Sequence, residues 1–168
     1  MNTSQMLITL GALILLSLVI LRVNRGFLTT DSVLLDSKID VLAVSVATSI
    51  LEEANGKAFD EITDSTSIND VNLLSSVLGP ESGEVYPFFD DFDDYNGFVK
   101  IDSTNPIAKF KVICKVNYVN PTNLDDTTTS KTWHKKLTVY VTSPSMLGHD
   151  HKQDTLKMSS IFSYWYFR

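Results

Sequence analysis

At 168 residues and 43% hydrophobic, the chain has room for one domain plus an extension, which excludes two full domains. The formal net charge is -6, an acidic balance that argues against nucleic acid as the main partner. One cysteine, Cys114, excludes any intrachain disulfide.

The first element is announced by MLITLGALILLSLVIL, Met6 to Leu21, which contains no charge. Its flanks are wrong for a cleaved secretory signal. The preceding MNTSQ carries no side-chain charge, Arg22 and Arg25 follow the apolar run, and no A-x-A-like site comes next. Sixteen helical residues rise about 24 Å against a hydrocarbon core of about 30 Å, so a membrane span needs the uncharged residues back to Met1. The two arginines favour a cytoplasmic C-terminal portion, which conflicts with export of the residues beyond them. The apolar pattern then continues at helical spacing through Phe27, Leu28, Leu34, Leu35, Val41, Leu42, Val46, Ile50, Leu51 and Ala54. No proline precedes Pro80, and Asn55-Gly56 is the first stop signal. The spacing predicts one helix from about Thr3 to about Asn55, roughly 80 Å long. Gly26, with Asn24 nearby, is its expected weak point, and two helices broken there are the alternative. Residues 1–57 thus form a long helix whose portion 1–25 is an assembly or membrane segment, while 27–57 belongs to a globular head.

Residues 58–100 read as an acidic loop region. From Asp60 to Gly83, DEITDSTSINDVNLLSSVLGPESG has one apolar knot, at Val71, Leu73, Leu74, Val77 and Leu78. YPFFDDFDDYNGF comes next, with Asp90, Asp91, Asp93 and Asp94 set among aromatics; Asn96-Gly97 signals a turn and FVKI opens a strand. Over residues 61–100 there are 9 acids and 1 base, whereas residues 101–168 carry 5 and 9. Such polarity lets copies meet with opposite charges facing, or simply marks solvated loops.

Residues 101–168 read as an antiparallel meander. Lys109 to Val119 places Phe110, Val112, Cys114, Val116 and Tyr118 on one side. Cys114 is a packing residue there, since no His and acid adjoin it to activate a thiolate. Trp133 to Thr142 turns Leu137, Val139 and Val141 inward, and Thr155 to Phe167 begins with Leu156 and Met158 inward. The connections NPTNLDDTTTSK and SPSMLGHDHKQD are full of turn residues. One polar face means a sheet covered on one side, and the back of the long helix is the surface available to cover it. The fold class is α+β, a long N-terminal helix on a four-stranded antiparallel sheet. Trp165 and Phe167 are either a subunit contact or part of the same core.

No catalytic set has usable spacing, so no enzyme is expected and no cofactor beyond a structural ion. His149-Asp150-His151 reads as a solvated loop rather than a transition-metal site. Asp90, Asp91, Asp93 and Asp94 are hard ligands dense enough for Ca2+, although their spacing is not that of an EF-hand. A solvated acidic loop, or one facing the basic strands of a neighbour, is the alternative.

An apolar N-terminal helix running into an amphipathic half and an antiparallel sheet resembles type IV pilins and pseudopilins. ATSILEEANGKAFDE, DFDDYNGF, LTVYVTSPS and DTLKMSSIFSYWY resemble segments of minor-pilin and pseudopilin-like bacterial proteins. The pattern departs in three places. The short basic leader ending in Gly is not seen, Gln5 stands where the family glutamate would be if Met1 is the mature first residue, and the helix-bending proline is replaced near Arg22. The resemblance implies a subunit held in the inner membrane before assembly machinery builds it into a helical homopolymer at the cell surface. Met6, Leu7, Leu10, Gly11, Leu13, Ile14, Leu16, Ser17, Leu18 and Leu21 would then form the filament core, and Gln5 a helix-end polar contact. Calcium occurs in the loops of some pseudopilins. A minor pilin or pseudopilin that primes or tips a pilus or secretion pseudopilus, and a monomeric membrane-anchored binding or sensor module, are the alternatives.

Overall fold

The computed structural model describes residues 2–148 and 152–164. Thr3–Asn55 form a single helix, α1, with Gly26 inside it. The predicted continuity is observed and the break at Gly26 is not. Asn55-Gly56 ends the helix as expected, the Gly56 amide donating to the carbonyls of Glu52 and Glu53 at 3.2 Å each.

The chain divides into two compact units, residues 1–38 and 39–168. The first is helical and its described side chains are exposed. In the second, Ile39, Ala43, Ala47, Ile50, Leu51 and Ala54 are the buried residues of α1. Their spacing of three and four keeps them on one face, and alanine at 43, 47 and 54 lets the backbone close on the sheet. Val41, two positions from both Ile39 and Ala43, falls on the opposite side and is exposed. Phe27, Leu28, Leu34 and Leu35, expected on the packed stripe, are also exposed, because burial begins at Ile39.

The sheet has strands β1 (Val99–Asp102), β2 (Phe110–Asn120), β3 (Asn123–Thr128), β4 (His134–Leu147) and β5 (Gln153–Ser163). Its order is β1-β2-β4-β5, every pair antiparallel, with β3 also paired to β2. β1 takes Phe110 to Ile113 and β3 takes Tyr118 to Asn120, while β4 pairs with Lys111 to Tyr118 along the other edge. β1 and β3 therefore share one edge end to end, so the sheet is four strands wide although five-stranded. The extra strand lies in NPTNLDDTTTSK, expected to be a loop. Asn120 tightens the turn, its Oδ1 accepting from the Thr122 amide at 3.0 Å and hydroxyl at 2.8 Å, and Thr127 and Thr128 then pair with Val119 and Tyr118.

The period-two rows are as predicted. Phe110, Val112, Cys114 and Val116 of β2 and Leu137, Val139 and Val141 of β4 meet the face of α1, with Leu156 and Met158 of β5 half-buried beside them. The region 58–100 is more structured than a loop: it holds a short helix α2 (Glu61–Ser65) and two 3-10 turns, Val71–Leu73 and Asp93–Tyr95. Of its apolar knot, Leu74 is buried whereas Leu73 and Val77 are exposed; Leu74 joins Phe59, Ile68 and Tyr118 in a second small core.

Candidate functional site: apolar helix and buried charge cluster

The first unit presents an unshielded apolar surface. Exposure runs from 48% at Leu10 to 71% at Ile8, with Met6, Leu7, Leu13, Ile14, Leu16, Leu18 and Leu21 between them. The most apolar 18-residue stretch has a mean hydropathy of 2.5, none of it buried, and is long and apolar enough to cross a membrane. Water is an unfavourable solvent for such a surface, which calls for lipid or other protein. Its hydroxyls suit either: Thr9 Oγ1 donates to the Met6 carbonyl and Ser17 Oγ to that of Leu13, both at 2.9 Å, so neither needs water. A Cβ built on Gly11 would meet nothing within 4 Å, leaving a notch where a second helix can approach. Gln5 lies exposed near the start of the same helix.

Within the head, the feature sequence reasoning missed is Lys135. It belongs to the inward row of β4, two residues before Leu137, and is fully buried. A lysine there must satisfy three donors without water. Its Nζ donates to the Phe59 carbonyl at 2.7 Å, to Asp60 Oδ2 at 2.8 Å and to Asp93 Oδ1. The Phe59 and Tyr118 rings lie 4.6 and 5.6 Å from it, adding cation–π attraction. Asp60 is anchored in turn, accepting from the Ser75 hydroxyl and amide at 3.0 Å each. The cluster ties β4 to the segment after α1 and to the turn at Asp93.

The four neighbouring aspartates separate into distinct roles. Asp91, Asp93 and Asp94 are buried and only Asp90 is exposed, so a solvated acidic loop is corrected. Packing of Phe89, Phe92 and Tyr95 into the core carries these residues inward. Asp93 answers Lys135. Asp91 Oδ1 accepts the amides of Asp93 at 2.7 Å and Asp94 at 3.2 Å, and Asp94 Oδ2 those of Asp90 at 3.0 Å and Asp91 at 3.1 Å. The four do not converge as one ligand set, because tight-turn amides draw Asp91 and Asp94 back onto the chain itself. Trp165, Phe167 and His149-Asp150-His151 lie outside the described residues.

Burial, with the charge of Asp93 adding to it, pushes the Asp91 carboxyl up to about 7, and burial pushes Asp94 up to about 6. Burial likewise raises Asp93 despite Lys135, and it raises the Cys114 thiol to about 12, in keeping with its packing role. Acids raised above their unfolded values hold protons more tightly in the folded chain. Their stabilisation is present at low pH and is lost as pH rises through about 6 to 7. Thermal unfolding in EDTA should therefore give a higher Tm at pH 5 than at pH 8. Asp91→Asn, which keeps the oxygen that accepts both amides, should reduce that difference and raise the Tm at pH 8. A Tm that instead climbs between pH 5 and 8 would contradict this assignment.

Comparison of the chain with protein-family models, with curated proteins and with solved structures finds no match.

Proposed function

We propose that this protein is a structural subunit of a type IV pilus-like extracellular filament, polymerising through its apolar N-terminal helix. The observation that carries the reading is an apolar helical surface that none of the described residues covers, on a helix that runs unbroken from Thr3 to Asn55. A membrane would hold that surface before assembly, and the helices of other copies would bury it afterwards. Head-to-tail repetition of one such contact leaves no closed ring and gives an open helical polymer. The outward rows of the sheet supply a complementary feature: Lys111, Lys115 and Lys157 are exposed, and the head also carries Glu61, Glu81, Glu84 and Asp90. Opposite charges of this kind on successive copies favour assembly in register. Assembly machinery and the inner membrane are the further partners of this reading.

The exposed helix also supports a membrane-anchored monomer, and a minor subunit that primes or tips a filament would carry the same surfaces. Electron microscopy and mass spectrometry of material sheared from the cell surface discriminate the three. The expected result is thin helical filaments in which this chain dominates the mass. Filaments containing it only in traces would favour the minor subunit, and a chain that stays monomeric on extraction and never polymerises would overturn the filament reading.

A further inference from the structure

Lys135 and its carboxylates can do more than attract one another. Lys135, Asp60 and Asp93 are all buried, so an amine and two carboxyl groups meet out of contact with water. Two of the three Nζ donors are fixed, one on the Phe59 carbonyl at 2.7 Å and one on Asp60 Oδ2 at 2.8 Å. The third is directed at Asp93, whose Oδ1 is in contact with Nζ. If Nζ gives up this third proton, its lone pair faces the Asp93 carboxyl, the alignment an attacking nucleophile requires. The two acids are held unequally. Asp60 accepts the Ser75 amide and hydroxyl as well as Lys135, whereas Asp93 has Lys135 on Oδ1 and no partner on Oδ2. Burial also raises the Asp93 carboxyl above its ordinary value, which brings the neutral acid within reach. The Phe59 and Tyr118 rings, 4.6 and 5.6 Å from Nζ, keep the surroundings apolar.

We propose that Lys135 Nζ and Asp93 Cγ condense to an amide, a covalent cross-link inside the head between β4 and the turn Asp93–Tyr95. Nζ first passes one proton to the Asp93 carboxylate, giving a neutral amine and a neutral acid, and its lone pair then forms the N–C bond to Cγ. Asp60 Oδ2 takes a second Nζ proton and returns it to the departing hydroxyl; the C–O bond breaks and one water leaves. Of the three ammonium hydrogens one stays in the amide and two leave in the water, so no co-reactant is needed and Asp60 is regenerated. Such condensation is unfavourable between separate molecules in water. Here the fixed geometry acts as an effective concentration, which reaches about 10⁵ M or more in well-oriented intramolecular pairs. The product also exchanges a buried ion pair for a neutral amide, which removes two charges from a place where they are costly. The bond would join residues 42 apart in the chain, and it makes the loss on replacing Lys135 larger than that of the ion pair alone. The inference does not depend on the filament reading.

The test is tandem mass spectrometry of a tryptic digest of the full-length chain purified in detergent. Peptide 132–136, uncut after Lys135, should be found joined to peptide 58–100, the pair being one water lighter than the sum of the two. Fragment ions should place the join on Asp93 rather than Asp60. A succinimide at an aspartate also loses one water but joins no peptides, so the digest tells the two apart. Asp60→Asn keeps an oxygen for Lys135 but cannot carry the proton, and should slow joining by about a hundredfold, read as the fraction joined at fixed times after expression. Separate, full-mass peptides from the parent chain, or a join from Lys135 to Asp60, would overturn the proposal. Joining of the Asp60→Asn variant at the parental rate would overturn the part given to Asp60.

Discussion

Replacing Lys135 by methionine is expected to destabilise the head by about 3–5 kcal/mol, the cost of removing one partner from a buried ion pair. The size reflects the groups left behind. Asp60 keeps its two Ser75 donors, but Asp93 loses the donor to Oδ1 while its Oδ2 already has none. Methionine fills most of the volume, so the loss measures uncompensated charge rather than a cavity. Relief would come from protonation. The defect should therefore be smaller at pH 5 than at pH 8, and Asp93→Asn added to the Lys135→Met background should recover part of it. Guanidinium unfolding of the full-length variants in detergent measures both effects. A loss under about 1 kcal/mol, or one independent of pH, would mean that the cluster does not hold the three segments together. A fully apolar replacement of all three residues is a different experiment and can be neutral, since desolvating charges offsets much of their attraction.

Leu13→Asp or Leu16→Asp is expected to abolish filaments. Each leucine buried between helices contributes about 1.5–3 kcal/mol, and a carboxylate among packed apolar helices adds a larger penalty. The same charge near the centre of a span hinders membrane insertion by about 2.5–3.5 kcal/mol, so loss of filaments from this variant has two explanations. Gly11→Leu separates them. A side chain there meets only open space in the single chain, which leaves the monomer undisturbed, and leucine favours membrane residence. It nevertheless fills the notch that close helix approach requires. Normal membrane levels with shortened or missing filaments are expected for Gly11→Leu, read by cell fractionation beside electron microscopy. Parental filaments from both Leu13→Asp and Gly11→Leu would remove this surface from the filament core.

Much of the fold was legible because the relevant signals are periodic and local. α1 carries no internal proline and ends at Asn55-Gly56, and its bounds Thr3–Asn55 match the expectation. Alternation along β2 and β4 predicted which side chains face the helix, and every one named from those two rows inside the core is buried. The strand β3 was hidden because its residues are polar and turn-forming; their pairing depends on a hairpin that presents an edge of β2. The start of the packed face at Ile39 was hidden for another reason. Leucines at helical spacing before and after that point look alike in sequence, and only the sheet decides which of them it covers.

Lys135 shows where the boundary lies. Its parity with Leu137, Val139 and Val141 is visible in the sequence, and an inward lysine signals a buried acid. The sequence could not say which of 20 acids answers it, since Asp60 and Asp93 stand 75 and 42 residues away. The acidic run behaves the same way: its composition suggested a shared ligand set, and the turn amides and core aromatics divided it. By itself, then, the sequence determined the long helix, the antiparallel strands, their inward faces and the uncharged apolar run from Met6 to Leu21, all consequences of residue type and spacing along the chain. Tertiary structure alone decided which acids neutralise the buried lysine, which aspartates of the acidic run are buried, and where α1 begins to be covered. Those outcomes depend on contacts between distant segments, for which local periodicity carries no information.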